Sequence, residues 1–73
     1  MKTGFVTKDA NQLRRMIVNQ ADSLCSMAQI AGVSYCVIAE AVSVPEKVLQ
    51  TRSAKKIAAA LGVDVFDIFE FAT

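Results

Sequence analysis

The sequence predicts an all-α fold, a compact bundle of five short helices. Apolar residues recur at helical spacing in several segments, and residues that favour helix starts and stops flank those segments. The connections are only a few residues long, with no glycine- or proline-rich linker and no internal repeat. Seventy-three residues allow one domain with a single hydrophobic core.

An N-terminal arm and the first helix are predicted at the start of the chain. Residues 1–8 are polar apart from two apolar side chains, so we expect a flexible or extended arm, with the domain proper over residues 9–73. The first helix is predicted over residues 9–19, because Asp9 is a favourable N-terminal cap. Three apolar residues at helical spacing form its inward stripe: Leu13, Met16 and Ile17.

Two short helices joined by a tight turn are predicted next. The second helix is expected over residues 24–31, followed by Gly32, since a residue in the left-handed conformation ends a helix at little cost. Val33 is expected to fill the turn and Ser34 to cap a third helix over residues 35–42. The inward positions of the two helices are Leu24, Met27, Ala28, Ala31, Val37, Ile38, Ala41 and Val42.

Two further helices are predicted in the remaining chain. Pro45 ends the preceding helical pattern, and residues 46–49 are expected to form a single turn. The fourth helix is predicted to start near residue 51 or 52 and to end at residue 61, and Asp64 is expected to cap a last helix over residues 65–71. The inward positions of these two helices are Ala54, Ile57, Ala58, Leu61, Ile68 and Phe69.

Composition argues against several classes of function. Two cysteines and no histidine cannot supply the usual four ligands of a zinc site, and no nucleophile-plus-base arrangement or glycine-rich phosphate loop is present. We therefore predict no enzyme, no metal site and no cofactor. Cys25 and Cys36 are expected to be small, buried or half-buried free thiols. No apolar run has the length of a signal peptide or a membrane span, so a cytoplasmic protein without membrane contact is expected.

Charge and hydropathy both indicate a binding partner. Residues 1–60 hold all eight basic residues and four acidic ones, whereas residues 61–73 hold three acidic residues and no basic one. A local basic cluster, Lys47, Arg52, Lys55 and Lys56, is either a modest phosphate-binding surface or a set of solvated helix charges. The apolar share of 53% exceeds the usual range of about 45–50%, so part of the apolar surface is expected to face a partner.

The segment AQIAGVSYCVIAEAV resembles the helix-turn-helix of phage Cro and repressor proteins. The residues at that family's helix contact, turn and buried positions are Ala28, Gly32, Val33, Ile38 and Ala41. The downstream segment AKKIAAALGVDVFDIFEF is similar to the end of the same family, the Cro/CI or xenobiotic-response-element type. The resemblance extends over about residues 11–71, places the motif at about residues 24–42 and implies a lambda-repressor-like fold.

The resemblance implies a transcriptional regulator of phage or mobile-element type. Such a protein binds double-stranded operator DNA as a homodimer, with the third helix in the major groove. The positions that correspond to base contacts are Ser34, Tyr35, Cys36, Ala39 and Glu40. The positions expected to contact phosphates are Ser23, Ser26, Lys47, Gln50, Arg52 and Ser53.

Several departures from the family pattern concern DNA contacts. The outward positions of the third helix hold neither Arg or Lys, which pair with guanine, nor Asn or Gln, which pair with adenine. Leu24 stands where the family often has a DNA-contacting glutamine, and residues 42–44 replace a frequent Glu-Asn-Gly. Weak direct readout is therefore predicted, with a larger share for phosphates, DNA shape and thymine methyl groups.

The aromatic C-terminal segment predicts a second interface. It carries more apolar bulk than a short helix can bury against one core, so Phe66, Phe71 and Phe5 are expected at a dimer interface. A monomer with exposed aromatic side chains is the alternative. The rival functional hypothesis is a helix-turn-helix fold used as a protein-interaction module, because the third helix is apolar and almost uncharged.

Overall fold

Five helices and two short strands make up the computed structural model, which describes residues 4–72. In chain order the elements are β1 (Phe5–Thr7), α1 (Ala10–Gln20), α2 (Leu24–Ala31), α3 (Tyr35–Ser43), α4 (Thr51–Leu61), α5 (Val65–Ile68) and β2 (Phe69–Phe71). The described chain is mostly helical and compact, with a radius of gyration of 10.7 Å. The prediction of a compact, helical fold with five short helices is confirmed at this level, and the pairing of β1 with β2 is a feature that was not predicted.

Local sequence signals place the ends of the first four helices. The bounds of α2 are those predicted, and those of α1 and α3 differ from the prediction by one residue. Ser23 and Ser34 cap α2 and α3 by accepting a hydrogen bond from the backbone N–H three residues ahead. Gly32 and Gly62 end α2 and α4 in the left-handed conformation, with φ of 76° and 74°.

β1, near the start of the described chain, lies between β2, near its end, and the segment around Leu49. Its antiparallel register with β2 is Phe5 with Phe71, Val6 with Glu70 and Thr7 with Phe69. On its other side Phe5 exchanges two backbone hydrogen bonds with Leu49, at 2.9 and 2.7 Å. The predicted single turn lies slightly earlier in the chain, where the Lys47 N–H donates to the Val44 carbonyl oxygen at 3.0 Å, and Leu49 pairs with Phe5 instead of taking part in it. Within the predicted arm, residues 5–7 are thus a strand held on both sides; residues 1–3 lie outside the described residues.

The last helix is shorter than predicted. Asp64 caps α5 as expected, accepting from the Phe66 N–H, while the Asp67 carboxylate accepts from the Asp64 N–H. However, α5 ends at Ile68, and residues 69–71 continue as β2 rather than as helix. Two phenylalanines flanking one glutamate suit a strand, and β1 offers backbone groups that need hydrogen-bond partners.

The core contains almost every residue that the helical pattern assigned to it. The largest fully buried side chains are Phe5, Phe69, Leu13, Ile17, Met27, Ile38, Ile57 and Ile68. Of the predicted inward residues, Met16, Leu24, Ala31 and Val37 are half-buried at the margin of this core, and the others are buried. The inward faces of the helices are thereby confirmed.

One buried polar side chain, Thr7, connects the sheet to α3. Its hydroxyl donates to the Ala41 carbonyl oxygen at 2.7 Å, and the residue is only 6% exposed. In a continuing helix that carbonyl would accept from residue 45, which is a proline without an N–H. The Thr7 N–H also donates to the Pro45 carbonyl, at 3.1 Å. Thr7 therefore satisfies the backbone at the end of α3.

Replacing the Thr7 hydroxyl by a methyl group tests this link. Thr7→Val keeps the shape of the side chain and leaves the Ala41 carbonyl buried without a donor, so the free energy of unfolding should fall by about 1–3 kcal/mol. Thr7→Ser retains the hydroxyl and serves as the control. Urea unfolding followed by circular dichroism measures both variants. A Thr7→Val variant as stable as the parent chain would show that the hydrogen bond contributes nothing.

Candidate nucleic-acid interface

α2 and α3 form a sharply bent helix pair. The chain turns by 120° between them, and only residues 32–34 separate them. The backbone N–H groups of Gly32 and Val33 both donate to the Ala28 carbonyl oxygen, at 2.9 and 3.0 Å. Helix-turn-helix pairs have axes at about 90–120° and a turn of three or four residues that often contains glycine. The angle and the turn of this pair fall within those ranges.

Small and apolar side chains hold the pair together and orient α3. Ala28 and Met27 of α2 are buried, as are Ile38 and Ala41 of α3, and the two helices pack against each other. Val33, in the turn, packs half-buried against the same core. With this face of α3 turned inward, its opposite face points away from the domain.

The five positions predicted to contact bases lie near one another on α3 and at its start. Tyr35 is 53% exposed, Ser34 and Cys36 are exposed, and Ala39 and Glu40 are half-exposed. The Ser34 hydroxyl already accepts from the Val37 N–H at 3.4 Å as the helix cap. The outer face of α3 is therefore accessible, and most of its side chains are small or apolar.

An ion pair connects two residues to which the sequence assigned separate roles. The Glu40 carboxylate and the Lys47 ammonium lie 3.1 Å apart, and both side chains are partly exposed. Such a pair contributes only about 0–1 kcal/mol to stability. Its main effect here is on the local charge of the surface. Lys47 neutralises the one carboxylate on the outer face of α3. No sequence signal indicated this contact, because a loop containing Pro45 separates the two residues.

Five of the six predicted phosphate-contacting residues form two groups, and the sixth, Lys47, is the partner of Glu40. At the start of α2, Ser23 accepts from the Ser26 N–H at 3.1 Å, and their hydroxyl oxygens lie 3.3 Å apart. At the start of α4, Arg52 donates to the Gln50 side-chain oxygen at 3.5 Å, with Ser53 half-buried beside them. Both groups lie at helix N-termini, where backbone N–H groups favour anions.

α4 carries a basic face that extends the second group. Arg52, Lys55 and Lys56 are exposed and spaced three and four residues apart, which places them on the same side of the helix. Among residues 4–72 the single ion pair is Glu40 with Lys47, so these three cations have no acidic partner within the described chain. The sequence grouped these residues by composition, and the helical spacing explains why they share a face.

Both cysteines are exposed, contrary to the prediction of buried or half-buried thiols. The inward faces of α2 and α3 are filled by other residues, and Cys25 and Cys36 occupy positions turned away from them. Across residues 4–72, no group of three or more His, Cys, Asp or Glu side chains is arranged to hold a metal ion. Nor is any single helix in that range long and apolar enough to cross a membrane.

The C-terminal aromatic residues form a second surface feature, here called the aromatic patch and defined by Phe66 and Phe71. These side chains are 48% and 59% exposed and lie with ring centroids 5.2 Å apart. Their rings pack on Phe5 at 5.6 and 4.9 Å and leave it 2% exposed. The prediction that Phe5 takes part in a dimer interface is therefore wrong, since its own chain covers it.

Comparison with known proteins adds no assignment: no protein-family model, no curated protein and no solved structure matches this chain. The geometry of α2, α3 and the surrounding charges is consequently the basis for a functional proposal.

Proposed function

We propose that this chain is a DNA-binding transcriptional regulator with a lambda-repressor-like helix-turn-helix fold, of phage or mobile-element type. The observation that carries the proposal is the 120° turn between α2 and α3 around a left-handed glycine, with the outer face of α3 accessible. In helix-turn-helix proteins the second helix of such a pair enters the major groove while the first crosses the DNA backbone. α3 is the recognition helix in this proposal.

The polar and basic residues around α2 and α4 supply the backbone contacts. Ser23 and Ser26 bind a phosphate at the start of α2, and Arg52 and Gln50 bind one at the start of α4. Phosphate contacts set the position of a protein on the duplex but carry no sequence information. The cations on the face of α4 have no acidic partner in the described chain. They make the phosphate contribution to DNA affinity large compared with that of base contacts from α3, which has few polar side chains.

A homodimer is the proposed binding form. β1 is paired on both sides, by β2 and by Leu49, whereas in the described chain β2 is paired only with β1. An open strand edge beside the exposed Phe66 and Phe71 is a surface that association with a second copy would bury. A symmetric dimer would fit the symmetric operators that helix-turn-helix proteins bind. A regulator that binds operator DNA would act in the cytoplasm.

A protein-interaction module is the second candidate function. It is favoured by exposed apolar side chains on the helix pair and the following loop, including Ile30, Tyr35 and Val44. In that case the same helix pair docks on another protein, and the cations of α4 remain solvated. The two candidates differ in whether the purified protein binds DNA and how salt affects that binding.

The salt dependence of DNA binding tests the regulator proposal. Duplexes enriched by the purified protein from genomic fragments should bind less tightly as salt rises, because phosphate contacts release counterions. Arg52→Gln should weaken binding and reduce the slope of log K against log salt by about 0.9, the effect of one lost phosphate contact. Fluorescence anisotropy at several KCl concentrations measures both quantities.

Arg15→Gln is the matched control, since Arg15 is an exposed arginine on α1 outside the proposed interface. Its slope should equal that of the parent chain. Equal losses in both variants would argue against the assigned contact. If no fragment is enriched even at low salt, the regulator proposal is wrong and the interaction module is favoured.

The mass of the protein in solution tests the homodimer. Sedimentation equilibrium should give about twice the chain mass of 7.9 kDa. Phe71→Glu places a charge in the aromatic patch and should shift the equilibrium to monomer, because the carboxylate would have to be buried on association. Val18→Glu changes an exposed apolar residue of α1 and should leave the dimer intact. A monomeric parent chain at tens of micromolar would contradict the proposal.

A further inference from the structure

We infer that α3 selects DNA by apolar contact with thymine methyl groups, so that its sites are A·T-rich where the helix lies in the major groove. The inference rests on the proposed function and specifies the ligand of the same surface. Each base pair presents a distinct pattern in the major groove, and the thymine 5-methyl group is its apolar feature. Strong selection by hydrogen bonds instead uses Arg or Lys for guanine and Asn or Gln for adenine, and α3 holds none of these residue types.

Two polar groups at the start and middle of this face already interact within the protein. The Ser34 hydroxyl caps α3 by accepting from the Val37 N–H. The Glu40 carboxylate, which would otherwise accept from a cytosine amino group, lies 3.1 Å from the Lys47 ammonium. If Glu40 left this cation to contact cytosine, it would approach the phosphates as an unneutralised anion. Cytosine selection is therefore disfavoured.

The side chains that remain on the face carry no charge and no amide group, although Tyr35 and Ser43 each have a hydroxyl. Tyr35 is more than half exposed, Cys36 is exposed, and Ala39 is half-exposed. Cys36 and Ala39 are three residues apart and so lie on one side of α3, with the exposed Ser43 a further turn along. Short side chains let the helix approach the base edges closely. When such a contact removes one thymine methyl group from water, the affinity for DNA should rise about fourfold.

Replacement of thymine by uracil tests the inference, because uracil lacks only the 5-methyl group. The duplex from the genomic selection that binds most tightly is footprinted to find the segment that the protein protects. It is then resynthesised with uracil in place of thymine, at single positions and throughout the protected segment. We expect the affinity to fall about two- to fourfold when the thymine at one contacted position is replaced. The affinity should fall further when all thymines of the protected segment are replaced. Uracil placed outside the protected segment should have no effect.

Two cysteine variants assign the methyl contact to α3. Cys36→Ser exchanges the thiol for a polar hydroxyl and should reduce the thymine-to-uracil affinity ratio at one position, whereas Cys25→Ser, on the exposed side of α2, should leave the ratio unchanged. Ala39→Gly should lower the ratio at a neighbouring position, and circular dichroism verifies that each variant is folded.

The outcomes separate this inference from the function on which it rests. Specific DNA binding that is indifferent to uracil overturns the methyl selection and leaves the regulator intact. A uracil effect that neither Cys36→Ser nor Ala39→Gly alters shows that another surface contacts the methyl groups, and the assignment to α3 is then wrong. If no duplex is bound, the regulator and the methyl selection are both wrong.

Discussion

The hydrogen bond from the Thr7 hydroxyl to the Ala41 carbonyl oxygen replaces the backbone hydrogen bond that Pro45 cannot donate at the end of α3. Because proline has no N–H, the last turn of this helix lacks one of its backbone donors. The N-terminal strand supplies a side-chain donor instead, at 2.7 Å, and its backbone binds the proline carbonyl as well. The position of β1 thus fixes the end of the helix whose outer face is the proposed DNA-binding surface.

β1 also determines the form of the C-terminal end. Paired with Leu49 on one side, it presents its other edge to residues 69–71, which leave the helical conformation and form β2. Phe71 is then placed over Phe5, and Phe66 packs on both rings from α5. The aromatic patch therefore depends on strand pairing, which places Phe71 of β2 beside Phe66 of α5.

Buried and exposed residues of the α2–α3 pair have separate tasks. Ala28, Ile38 and Ala41 bring the helices together, and their small or apolar side chains are required by that packing. The exposed positions are free of that requirement, yet they too are mostly small or apolar, and the one carboxylate among them is paired with Lys47. In the proposed regulator, the cations of α4 supply affinity for the phosphates while α3 supplies close apolar contact with the bases.

By itself, the sequence determined the bounds of α1 to α4 and the faces that they bury. Those features follow from interactions within a few residues: the caps Ser23 and Ser34, the left-handed Gly32, and the helical period of the apolar side chains. The positions on the outer face of α3 followed from the same period. The burial of Cys25 and Cys36 was mispredicted, because the size and polarity of cysteine suit either side of a helix, although the period had put Cys36 on the outer face.

Only the tertiary structure decided the sheet, the ion pair and the burial of Phe5. Residues 69–71 were predicted as helix although their alternation also suits a strand, and β1, at the opposite end of the described chain, favours the strand by offering hydrogen bonds. Glu40 meets Lys47 only because the loop through Pro45 turns back. Each of these contacts joins residues whose separation along the chain leaves no periodic signal, so their partners become known only once the chain is folded.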